Sequence, residues 1–131
     1  VSVQQGLSRT ATALAQREVQ KLVDELDGVT AAVVATVDGF DLASAVAGDT
    51  DPARVAAMAS SIIAISSVVS EEADLGRHKS VIVQTEFGFA VFYSLRQREG
   101  ELVLGVLARD AAVLALVVYR AAQLAKALTQ A

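Results

Sequence analysis

The residues able to do chemistry are few, and their spacing suits none of the common reactions. The only histidine, His78, sits in the basic tripeptide Arg77-His78-Lys79, with no cysteine anywhere in the chain. A nucleophilic triad or a zinc site would therefore rest on one ring, and His78 reads as a solvated loop histidine. Asp49 and Asp51 begin like a calcium loop. Its sixth position would be Arg54 instead of glycine, however, and its twelfth Ser60 instead of glutamate. Ser60-Ser61 and Ser66-Ser67 lack the G-x-S-x-G turn that exposes a nucleophile, so they read as small spacers on a helix. The eight glycines never form G-x-G-x-x-G, and there is no Walker lysine motif. Arg54, Arg77 and Arg109 each carry the guanidinium of an arginine finger, but nothing in the pattern selects one over surface solvation. No catalytic, cofactor-binding or metal-ligating residue is assigned, and the chain reads as a protein that binds and is not an enzyme.

One charged cluster stands out. Glu71, Glu72 and Asp74 crowd the end of a predicted helix, where negative charge opposes the helix dipole at a cost of about 0.3 to 1 kcal/mol each. They are either hydrated or paired with Arg77 and Lys79, or they form an acidic patch that steers a basic partner. Glu71, Glu72 and Asp74 are accordingly the candidate partner-binding residues.

The elements that would position these groups follow from period and punctuation. Ala11, Ala15, Val19, Leu22 and Leu26 recur at helical spacing over 7–26, and Asp27-Gly28 ends the helix. Residues 30–37 form a continuous run of small and β-branched side chains, suited to a strand covered on both faces. Asp38-Gly39 then predicts a tight reversal into a second strand over 40–46. Asp51-Pro52 is a strong helix start, with Asp51 as cap and proline in the first turn. That helix should run to about residue 74. Within it, Val55, Met58, Ile62, Ile65 and Val69 make a large stripe for the sheet, while Ala57, Ser61, Ala64 and Val68 make a small stripe that a second helix could approach closely. Strands are predicted over 80–85, 89–95 and 101–108, joined by short glycine-bearing links and hence antiparallel. Asp110 is expected to cap a last helix whose apolar first turns, 111–119, should be buried.

Composition bounds the rest. A length of 131 residues suits one domain over 1–131. The apolar share of 53% against 5% aromatics points to a core of Ala, Val, Leu and Ile with a surplus for self-association. A net charge of -4 argues against tracking phosphates, so no nucleic acid is expected as a partner. The longest uncharged stretch, 55–70, has 16 residues including five serines. A bilayer span needs about 20, so no membrane span is expected. No basic-then-apolar leader follows Val1, and the absence of cysteine suits a reducing compartment; a cytoplasmic location is the expectation.

The most continuously apolar strands, the first and the fifth, need neighbours on both sides. Pairing them gives a five-stranded antiparallel sheet of order 2-1-5-4-3, with three helices on its two faces. Strand 3 then lies at an edge with Ser80, Val81, Ile82 and Val83, a hydrophobic edge that calls for a partner. A second copy is the simplest one. The predicted homodimer interface is Ser61, Ile65 and Val68 on the middle helix with Ser80, Val81, Ile82 and Val83 on the strand; the alternative is that both helical stripes pack inside one subunit.

With the element order in hand, "LVDELDGVTAAVVATVDGFDLAS" (22–44), "VIVQTEFGFAVFYSL" (81–95) and "LVLGVLARDAAVLALVVYRAAQLA" (102–125) resemble the roadblock/dynein light chain family, in particular its prokaryotic Mgl-type members. The resemblance covers nearly the whole chain. It implies a roadblock/profilin-like α-ββ-α-βββ-α fold and a homodimer whose third strands pair across a two-fold axis, with the second helices side by side. It also implies a non-enzymatic adaptor that binds and regulates a small Ras-like GTPase, with no cofactor. Two other classes stay open: a ligand-sensing PAS-like or profilin-like module, and a scaffold with no effect on nucleotide turnover.

Overall fold

The computed structural model describes residues 7–97 and 100–130. Its elements are α1 (Arg9–Glu25), β1 (Val29–Thr36), β2 (Asp41–Val46), α2 (Pro52–Glu72), β3 (Ser80–Gln84), β4 (Gly88–Gln97), β5 (Gly100–Arg109) and α3 (Leu114–Gln130). The strands form one antiparallel sheet in the order β2-β1-β5-β4-β3, as the apolar pattern predicts.

Alternation along the strands divides the core into two layers. Ala32 and Val34 of β1, Val91 and Leu95 of β4, and Leu102 and Leu104 of β5 face α1 and α3. Val33, Ala35, Phe92 and Val103 face α2. The β1 run is buried from Ala31 to Thr36, which explains why it is apolar on every position and not on alternate ones. At its end Gly39 takes a φ of 99°, and Thr36 and Phe40 close the reversal with a 2.9 Å bond from the Thr36 amide to the Phe40 carbonyl.

Helix starts are set locally. The Ser8 hydroxyl accepts from the Ala11 amide at 3.1 Å, and the Asp51 carboxylate accepts from the Ala53 amide at 3.1 Å. α1 lies over β1 and β2, and the Gln16 amide group reaches the outer side of β2. There its Nε2 donates to the Ser44 carbonyl at 2.7 Å and its Oε1 accepts from the Ser44 amide at 3.1 Å. α1 and α3 are bridged by Arg120 and Glu25, 2.7 Å apart.

Three expectations need correction. First, α2 rests on the sheet through Val55, Ala56, Ala59 and Ile63; of the large stripe only Val55 is buried and Ile62 half-buried, whereas Met58, Ile65 and Val69 are exposed, as are Ala57, Ser61, Ala64 and Val68. The reason is closeness of approach. Alanines at the contact let the helix sit low, and Gly105 beneath leaves room for the Phe92 ring, which would lie 3.2 Å from any Cβ added there, beside Val55. Second, Asp110 does not cap α3. Residues 110–113 form a turn tied to the β3–β4 link by the Asp110 amide donating to the Phe87 carbonyl at 2.9 Å, and the helix begins at Leu114. This turn is fixed by Ala112, which packs so tightly on Gly28 that a Cβ there would sit 2.6 Å from the Ala112 nitrogen. The first turns of α3 are also not wholly buried: Val117 is, whereas Val113, Leu116 and Tyr119 are exposed, because α3 shares the sheet face with α1 and offers only one side to it.

Candidate protein interface

The two surfaces singled out in the sequence meet at one side of the molecule. Among the described residues, β3 is an edge strand, bonded to β4 alone. Its Val81 packs toward α2 with Phe92 and Ile63, and Val83 lies on the same face. Ile82, opposite Val91, points to the other face. α3 packs on β4 and β5 but not on β3, so Ile82 stays 43% exposed. Ser80 is exposed as well.

Above β3 runs the outer side of α2. Ser61 is exposed, Ile65 is 62% exposed and Val68 57%, with Met58 and Val69 beside them. Sequence reasoning placed Met58 and Val69 on the sheet and so missed them as surface residues. The signal was present in Ala56 and Ala59, whose small size marks the low contact face. Between α2 and the β3–β4 edge lies an apolar groove of about 460 Å³, lined by Met58, Ser61, Ile62, Val83, Phe92 and Leu107 among others. α2 is 21 residues long and, by length and composition alone, apolar enough to cross a bilayer, although only 22% of its most apolar stretch is buried. That goes beyond the expectation from its 16-residue uncharged stretch. The outer side of α2 is thus an unusually large exposed apolar surface for a folded domain.

The acidic cluster sits just past this surface. Glu71, Glu72 and Asp74 are all exposed, and among the described residues no ion pair joins them to Arg77 or Lys79. They are hydrated. Asp74 holds a φ of 55° where the chain leaves the helix, and the Leu75 amide donates back to the Ser70 carbonyl at 3.0 Å. Arg54, Arg77 and Arg109 are exposed.

His78 is not a solvated loop residue, contrary to expectation. Its side chain is 9% exposed; Nε2 lies 2.9 Å from Glu101 Oε2 and Nδ1 3.5 Å from Ser67 Oγ. The same Glu101 oxygen accepts from Ser94 Oγ at 2.8 Å, and Arg96 stands 3.6 Å from the other. Burial alone would raise the Glu101 pKa, but the hydrogen bonds from Ser94 and His78 and the charge of Arg96 outweigh it and hold the carboxyl below its ordinary value. An ionised Glu101 accepts from a proton on Nε2, and Nδ1 faces the Ser67 hydroxyl. Serine, histidine and glutamate thus stand in a row. Ser67, however, belongs to the C-terminal part of α2, where carbonyls gather and an oxyanion would meet the negative end of the helix dipole. The row is a clamp that ties the α2–β3 connection to the β4–β5 hairpin. Among the described residues, no group of three His, Cys, Asp or Glu side chains could hold a metal ion.

The profile of the Roadblock/LC7 domain family matches residues 15–108. The chain belongs to that family. No curated protein sequence matches it. Among solved structures, the roadblock chain is similar to one described as "MglB with tetrameric arrangement", at 18% identity and a TM-score of 0.84, covering 99% of this chain and 96% of that one. The gliding protein mglB of Thermus thermophilus gives 16% identity and a TM-score of 0.84 over the same shares. A Roadblock/LC7 domain from Streptomyces avermitilis gives 22% identity and a TM-score of 0.77, covering 86% of this chain and 92% of that one. At these identities the likeness carries the fold, and the roadblock arrangement is the one built above from β1, β5 and the bare β3 edge.

Proposed function

We propose that this roadblock domain is a cytoplasmic homodimeric adaptor that binds and regulates a small Ras-like GTPase through the joined α2 surfaces of the dimer. The observation that carries the reading is the bare apolar flank of α2 beside an unpaired β3 edge. Ser61, Ile65 and Val68 with Ser80, Val81, Ile82 and Val83 form the self-association surface. Small residues at Ala57, Ser61 and Ala64 favour a protein cover over a lipid one, because they let a second helix approach closely where acyl chains would gain nothing from them. The resemblance to Mgl-type roadblock proteins, a group that acts with small Ras-like GTPases, supports the choice of partner, and the fold is shared with MglB. Glu71, Glu72 and Asp74, doubled in a dimer, supply the field that draws a basic surface in.

Sedimentation at micromolar concentration tests the first half: a dimer is expected, and a monodisperse 13.6 kDa species overturns it. Capture of small GTPases loaded with GTP or GDP tests the second. Preference for one nucleotide state, with a changed hydrolysis rate, supports a regulator. Capture indifferent to nucleotide makes the protein a scaffold, and no capture of any GTPase removes the partner assignment.

A further inference from the structure

Beside the first turns of α2 the sheet keeps an apolar depression edged by two arginines. The groove of about 460 Å³ along α2 and a smaller hollow of about 240 Å³ at the end of β5 share Val83, Ala90 and Leu107, so the two are continuous on the α2 face. Among the described residues, the only charged side chains lining either part are Arg54 and Arg109. Arg54 projects from the first turn of α2, and Arg109 follows Leu107 by two residues on β5, which puts both on one face of the strand. Both arginines are exposed, and among the described residues neither has an ion pair. Asp49 and Asp51 line a neighbouring hollow that Arg54 also borders, but there the Asp51 carboxylate is engaged as the cap of α2. In a chain of net charge -4, an apolar depression with a wholly basic rim runs against the general surface.

We infer that this depression receives an acidic, apolar segment of a protein partner, with carboxylates on Arg54 and Arg109 and an aliphatic side chain between them on Leu107. Charge complementarity selects the occupant: a guanidinium beside an apolar floor holds a carboxylate in a forked pair that water competes for poorly. Position selects it too. β5 lies two strands inside the β3 edge, about 10 Å away, so whatever covers Leu107 and Arg109 has to lie on the face of the sheet. This inference rests on the reading of the α2 flank as a partner surface, and it gives that surface a direction. Glu72 lies about five helical turns after Arg54, on the same side of α2 and about 27 Å along its axis. The flank is therefore basic where the helix starts and acidic where it ends, and a partner of opposite polarity fits it in one orientation only.

The probe is a labelled helical peptide with leucines on successive turns of one face, flanked by glutamates, and its control carries lysine at each glutamate. By fluorescence anisotropy the full chain should bind the glutamate peptide saturably, and less tightly as salt rises. The double variant Arg54→Glu with Arg109→Glu should weaken that binding at least about tenfold and strengthen binding of the lysine peptide. Arg54→Gln with Arg109→Gln, which removes the charges without reversing them, should fall between the two. Failure of the wild type to bind the glutamate peptide, or equal binding by wild type and both double variants, overturns the inference. Sedimentation of the variants should match the wild type. Loss of self-association on charge reversal, restored by adding Glu72→Arg, would assign Arg54 to a second copy and overturn it as well. Peptide binding that depends on both arginines, in a protein that captures no GTPase, leaves the acidic-segment site standing and removes only the GTPase assignment.

Discussion

His78 shows how a single residue changes meaning once its surroundings are known. Set between Arg77 and Lys79 in the sequence it looks hydrated; folded, it bridges Ser67 and Glu101. Nothing local announces this, because Glu101 lies 23 positions on and is brought close only by the β4–β5 hairpin. His78→Ala should lower stability by about 1–2 kcal/mol in denaturant titration, the loss of a hydrogen bond to a charged group. Glu101 adds a pH dependence whose sign is fixed. Its folded pKa is depressed, so its contribution is complete above the ordinary carboxyl value and is lost as pH falls through the lowered one. Glu101→Gln should therefore unfold with a flatter acid limb than the wild type, and an unchanged limb would show that the clamp carries no net charge linkage.

At the level of elements, β1 and β5 were readable because strands covered on both faces must be apolar throughout, while Asp38-Gly39 marks the β1–β2 reversal and Asp51-Pro52 the start of α2 with few alternatives. The strand order followed from those two runs. The orientation of α2 was not readable, since a helix with Val55, Met58, Ile62, Ile65 and Val69 on one side invites the largest side chains inward. What decided it was Gly105 and Phe92 on the sheet, whose shape admits alanines. The start of α3 was misplaced for a similar reason: the Ala112 contact with Gly28 is long-range and leaves no mark at Asp110. If the exposed flank of α2 is an interface, Ile65→Glu or Val68→Glu should raise the dimer dissociation constant about thirtyfold, or ~2 kcal/mol. The far-ultraviolet circular dichroism of the monomer should stay native. Unchanged sedimentation of both variants would place the contact elsewhere.

For the molecule as a whole, the α2 flank and the β3 edge singled out in the sequence are exposed on one side, and among the described residues no ion pair joins the acidic cluster beside them to Arg77 or Lys79. Reversing Glu71 and Glu72 to lysine should slow association with a basic GTPase surface about tenfold at low salt and flatten its ionic-strength dependence. Equal rates for wild type and variant would end the steering argument.

Gln16 has a consequence for assembly that neither the apolar flank nor the β3 edge explains. Its amide occupies both the Ser44 amide and the Ser44 carbonyl, which are the outward-facing backbone groups at the middle of β2. A side chain thereby imitates the next strand at the one border that dimer formation would leave open. A pair of these chains would end at both flanks in a strand whose middle residue is already capped, which works against propagation of a two-fold assembly into a ribbon. Gln16→Ala should release that margin, with light scattering rising over hours at concentrations where the wild type stays clear.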